Sequence, residues 1–86
     1  MNYGIELADE AGSDLEGLSK SDRRLFRRIL SKIETLSEKP FEGKPLVGNH
    51  KGEFSLRVGD YRIVCEIDNP GQIVYVLTVK HRKHVY

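Results

Sequence analysis

Two runs of alternating residues meet at Gly59-Asp60. Phe54, Leu56 and Val58 alternate with Glu53, Ser55 and Arg57, and the apolar set resumes as Tyr61, Ile63, Cys65 and Ile67. Side chains of a strand point alternately to its two faces, so each run presents one apolar face. A two-residue loop that begins with glycine suits a tight type II′ hairpin, whose first central residue needs positive φ. Closing the hairpin there sets the register: Val58 faces Tyr61, Arg57 faces Arg62, Leu56 faces Ile63 and Phe54 faces Cys65. Every apolar residue lands opposite another, and a slip of one residue would turn the whole set to the other face.

A second reversal at Asn69-Pro70-Gly71 leads into Ile73-Val74-Tyr75-Val76-Leu77-Thr78-Val79, a strand apolar on both faces near its middle, as expected for a central position. Pairing Ile67 with Ile73 predicts that Ile63 meets Leu77 and Arg62 meets Thr78. Upstream the period changes. Leu25, Phe26, Ile29, Leu30, Ile33 and Leu36 recur at helical spacing, with Arg23, Arg24, Arg27, Arg28 and Lys32 on the other side. Ser19 is the expected N-cap, with Asp22 three residues on, and Pro40 closes this helix near Glu38 or Lys39. A weaker helix over Asp9 to Leu18 carries Gly12 and Gly17. Asn2 to Leu7 reads as a short strand, and Phe41 to Gly52 as loop. The predicted fold is α+β: an N-terminal strand, a two-helix hairpin, then an antiparallel meander sheet of three or four strands. The helices are expected to cover its Phe54/Leu56/Ile63/Leu77 face.

With 86 residues, one small domain spanning 1–86 is expected. The acidic start MNYGIELADE lacks the apolar stretch of a signal peptide, and no run is apolar and long enough to span a bilayer. A lone Cys65 inside an apolar run suits a buried thiol in a reducing compartment, so the expectation is cytoplasmic. The net charge of +1 hides an asymmetry: residues 1–22 hold six acids against Lys20, and the remainder is basic. Such a split suits a polyanion on one face.

The inferred register places Arg57 and Arg62 directly opposed on the face away from the helices. Like charges so placed repel, whereas a phosphate between two planar guanidinium forks would satisfy both. Alternation adds Thr78, Lys80 and Arg82 to that face. Glu53, Ser55 and Glu66 lie there too, so a salt-bridged, solvated sheet face accounts for the same residues. His81 and His84, three apart and without a cysteine or suitable carboxylate nearby, make a poor metal site. Cys65 falls on the core side, where packing explains it better than nucleophilic chemistry.

Beyond these residues, the chain resembles the RelE/ParE toxin superfamily of type II toxin–antitoxin systems. The resemblance covers almost the whole chain. It rests on GKPLVGNHKGEFSLRVGDYRIVCEID (Gly43 to Asp68) and VLTVKHRKHVY (Val76 to Tyr86). The closing His-Arg-x-x-Val-Tyr is similar to the RelE-like branch, which implies a RelE-like fold and a ribosome-dependent mRNA endoribonuclease acting in the A site. The implied reaction is transesterification by the RNA's own 2′-OH, with no metal and no cofactor. The resemblance implies catalytic roles for Arg62, Arg82 and Tyr86, with Glu53 or His81 as further acid–base candidates. It implies substrate contacts for Arg57, Lys80, Lys83, His84 and Ser55.

Some family members carry two strand lysines where this chain has Glu53 and Ser55. That departure keeps two other readings open: a ParE-like, non-enzymatic inhibitor of DNA gyrase, and an inert relative that only binds its antitoxin. The implied partners are a cognate RelB-like antitoxin and the ribosome with its mRNA, with no membrane. A strip formed by Val64, Val74 and Val76 is the expected docking surface for the antitoxin.

Overall fold

The structure is a computed structural model that describes residues 2–46, 48 and 52–84. Strand β1 (Gly4–Leu7) precedes helices α1 (Asp9–Ser21) and α2 (Arg23–Thr35). Strands β2 (Lys44–Pro45), β3 (Glu53–Val58), β4 (Tyr61–Asp68) and β5 (Ile73–His81) follow. A 3-10 turn, Arg82–His84, comes after β5. The five strands form one sheet in the order β1-β5-β4-β3-β2. β1 runs parallel to β5, and the other neighbours are antiparallel. The sheet is therefore mixed and wider than a meander of three or four strands. The extra strand, β2, lies inside the stretch expected to be loop.

The helices form where the sequence alternates at their period, but the caps differ from expectation. Asp22, not Ser19, caps α2, its carboxylate accepting from the Leu25 backbone N–H at 3.1 Å. Ser19 lies within α1 and donates to the Glu16 carbonyl. A serine in a helix can bond back to its own turn, and the break then comes where a carboxylate meets free N–H groups. α2 ends at Thr35, before the expected Glu38 or Lys39, and a turn over residues 36–38 leads on to Pro40.

The core lies between the helices and one face of the sheet. Ala11, Leu15 and Leu18 of α1, with Ile29, Ile33 and Leu36 at α2, pack on Leu56, Val58, Ile63, Cys65, Val74, Val76 and Val79. The β3–β4 register is the expected one, pair for pair, and Gly59 takes φ 58° at the turn. The β4–β5 register is not. Ile63 pairs with Val79 and Arg62 with Lys80, because the ladder starts at Asp68 with Ile73 and shifts again between Val64 and Cys65. That bulge leaves Leu77 as the extra residue of β5. Val76 and Val79 both turn to the core, while Leu77 is only partly buried.

The register also overturns the expected docking strip. Val74 and Val76 are fully buried under the helices. Val64, paired with Ser55 and Thr78, is buried on the opposite side of the sheet and stands apart from the helix-side core. No helix among the described residues is long and apolar enough to cross a membrane.

Candidate active site

The face of the sheet away from the helices is built in cross-strand rows. Glu53, Glu66, Tyr75 and Glu6 form one row. Lys44, Ser55, Val64 and Thr78 form the next, and Arg57, Arg62 and Lys80 the third. One end of this face is thus acidic and the other basic. Directly opposed side chains stand about 5 Å apart at Cβ, so the two arginines converge as the hairpin dictates.

Beside them lies a groove of about 480 Å³ lined by Lys32, Glu42, Gly43, Lys44, Ser55, Leu56, Arg57 and Arg62. Glu42 is held by Lys32 at 3.2 Å. The structure therefore brings together three expected residues, Ser55, Arg57 and Arg62. It adds Lys44 and Lys32, which sequence reasoning missed. Lys44 was hidden because β2 is two residues long, one of them a proline, and has no period to read.

Lys80 follows Arg62 in the row, but its ammonium turns to α1. It meets Asp14 at 2.7 Å and Glu10 at 3.1 Å. Asp14 also accepts from the Val79 backbone N–H at 3.0 Å. β1 pairs only as far as Val76, so the edge of β5 beyond it would otherwise leave that donor without a strand partner. The hydrogen bond to Asp14 is the main cause that holds the Lys80 ammonium above its usual range; burial works against it, and the hydrogen bond to Glu10 adds to the rise.

His81 is on the other side of the sheet. It pairs with Tyr61, ring centroids 5.5 Å apart, and the His84 ring lies 6.3 Å from it. These three line a groove of about 430 Å³ with Asp14, Gly17 and Leu18 of α1. The His81 Nδ1 accepts from the Lys83 N–H at 3.2 Å, which leaves Nε2 as the proton-bearing atom of the neutral ring. The Arg82 N–H donates to the Asp60 carbonyl at 2.7 Å, tying the final turn to the β3–β4 hairpin. Arg82, Lys83 and His84 are exposed. Glu53 stands at the acidic end, opposite Glu66. Tyr86 lies outside the described residues.

Among the described residues, no group of three His, Cys, Asp or Glu side chains is placed to hold a metal ion. The Cys65 thiol is buried, and burial pushes its pKa up to about 12. A thiol so held is a packing group, since the thiolate is the nucleophile.

Comparison with known proteins gives the same frame. The model of the family described as ParE toxin of type II toxin–antitoxin system, parDE, matches residues 5–86. Toxin RelG of Mycobacterium tuberculosis is 34% identical over 87 residues, covering 100% of this chain and 98% of that protein. A chain of the toxin–antitoxin complex RelBE2 of the same organism superposes with a TM-score of 0.85 at 32% identity, over 95% of this chain and 100% of that one. The YoeB/ParE toxin of Agrobacterium tumefaciens gives 0.82 at 24% identity, over 91% and 96%, a likeness of fold.

Proposed function

The chain belongs to the ParE toxin family of type II toxin–antitoxin systems, and from that premise we propose that it is a ribosome-dependent mRNA endoribonuclease. The observation that carries this reading is the directly opposed pair Arg57–Arg62 beside the groove that also holds Ser55 and Lys44. Two guanidinium groups facing each other across a hairpin are unfavourable unless an anion lies between them. A scissile phosphate is such an anion, and the planar fork of each arginine matches its oxygens.

In this reading the mRNA's 2′-oxygen attacks the neighbouring phosphorus, and the bond from phosphorus to the next nucleotide's 5′-oxygen breaks. The products are a 2′,3′-cyclic phosphate and a free 5′-hydroxyl. One proton leaves the 2′-OH to a base, and one arrives on the 5′-oxygen from an acid. Arg57 and Arg62 stabilise the negative charge that grows on the phosphorane. Arg82 and Lys83, exposed in the final turn, are proposed to extend the cationic end of the site, and Tyr86 is the proposed base or base-stacking group; His84 lies instead with His81 in the groove against α1. The acidic row of Glu53 and Glu66 repels the RNA backbone and confines it to the arginine end. His81, on the helix side of the sheet, serves the final turn through Lys83 rather than the groove of Arg57 and Arg62.

A toxin of this kind is held by a cognate antitoxin, and the RelBE2 match is itself a chain of a toxin–antitoxin complex. With Val64, Val74 and Val76 all buried, the expected strip offers no surface for the antitoxin to dock on. One observation favours the ParE-like reading, an inhibitor of DNA gyrase without catalysis: Glu53 and Ser55 stand where lysines are found in some relatives. Mapping of RNA 5′ ends during translation separates the two. New ends at A-site codons support the endoribonuclease, and supercoiling inhibition with intact mRNA supports the alternative.

A further inference from the structure

We infer that Lys44 is a phosphate-binding catalytic residue, donating its ammonium to a non-bridging oxygen of the scissile phosphate from the strand beside Ser55. The inference rests on the endoribonuclease reading and gives a role to a residue to which the resemblance assigned none. Three observations carry it.

Lys44 pairs directly with Ser55, and Pro45 with Phe54. Directly opposed residues share a face, so Lys44 stands on the same side of the sheet as Ser55, Arg57 and Arg62, with its Cβ about 5 Å from that of Ser55. A proline cannot donate to a ladder, which suits β2 to the sheet edge, and Lys44 lines the groove from there.

The backbone before it is held tightly against β3. A Cβ added at Gly43 would fall 2.9 Å from the Ser55 carbonyl oxygen and 3.2 Å from Leu56 Cγ. Only a residue without a side chain allows this approach, and the approach sets where Lys44 begins.

Finally, no ion pair among the described residues engages Lys44. Lys44 is exposed and lines the groove of about 480 Å³ with Ser55, Arg57 and Arg62. The neighbouring acid, Glu42, is already engaged by Lys32 at 3.2 Å. Three cations from three adjacent strands thus line one groove, from which their donors are placed to reach different oxygens of a phosphorane.

The test is single-turnover cleavage of mRNA on programmed ribosomes. Lys44→Met is expected to lower the rate at saturating toxin about 10²-fold, as for loss of one preorganised donor to a developing oxyanion. Lys44→Arg is expected to retain most of the rate. The decisive variant is Lys44→Met with Ser55→Lys, which puts an ammonium on the opposing position of the same row and is expected to recover at least tenfold of the loss. Near-wild-type thermal unfolding of each variant is expected, since Lys44 is exposed. Lys44→Met cleaving at the wild-type rate would overturn the assignment while leaving the endoribonuclease reading intact. Failure of Ser55→Lys to restore any rate would overturn it as well. A wild-type protein that cleaves nothing overturns both.

Discussion

Asp14 and Lys80, on the first helix and the last strand, meet at 2.7 Å across the part of the β5 edge that β1 does not cover. The second oxygen of the same carboxylate takes the Val79 N–H at 3.0 Å. Asp14→Ala removes both, leaving a strand-edge donor without its partner, and is expected to cost about 1–3 kcal/mol in chemical denaturation. Asp14→Asn keeps an acceptor for Val79 and should cost less.

The same pair has a pH signature. Lys80 is held above its ordinary value of 10.5 by Asp14 first. A cation raised on folding stabilises fully below its unfolded pKa, and the contribution fades as pH climbs through the folded value. The stability gap between wild type and Asp14→Asn is therefore expected to be constant near neutrality and to narrow above about pH 10.5. A gap that narrows in acid between pH 6 and 8 would contradict it.

Cys65 gives the opposite kind of test, of the core. Its thiol is raised from 9.0 to about 12 by burial, so the neutral form is favoured on folding. This contribution is complete below pH 9.0 and is lost as pH rises toward 12, at up to about 1.4 kcal/mol per unit. Cys65→Val should flatten the alkaline decline relative to wild type. A thiol reagent at pH 8 should label the native protein only at the rate of unfolding.

Much of this architecture is legible in the residues, and the failures have physical causes. The β3–β4 register could be read because a two-residue Gly59-Asp60 turn leaves no slack. The β4–β5 register could not. The turn between Asp68 and Ile73 is longer, and the bulge at Val64/Cys65 inserts a residue that alternation cannot announce. The shift at the turn put Val74 and Val76 in the core row and Leu77 outside it, and the bulge then returned Val79 to the core face. β2 was hidden by its length and by Pro45, and with it the place of Lys44. Arg57 and Arg62 were legible as a pair because they lie next to the turn. His81 was assigned to the site from the resemblance, and its strand position puts it on the helix side with Tyr61.

Arg57 and Arg62 are directly opposed, so the free protein bears a repulsion that a bound anion would relieve. Arg57→Ser is expected to leave stability unchanged or raise it by up to about 1 kcal/mol at low salt. Inorganic phosphate should raise the unfolding temperature of wild type more than that of Arg57→Ser, because a ligand that binds only the native state stabilises it. Equal shifts in the two proteins would mean that the arginines do not share an anion.

The central claim is that the arginine end of the sheet cleaves mRNA. Primer extension on a translated message measures it directly. Wild type is expected to create new 5′ ends at A-site codons, and Arg62→Ala with Arg82→Ala to abolish them while the protein stays folded. Cleavage that survives the double substitution, or a wild type that leaves the message intact, would contradict the account.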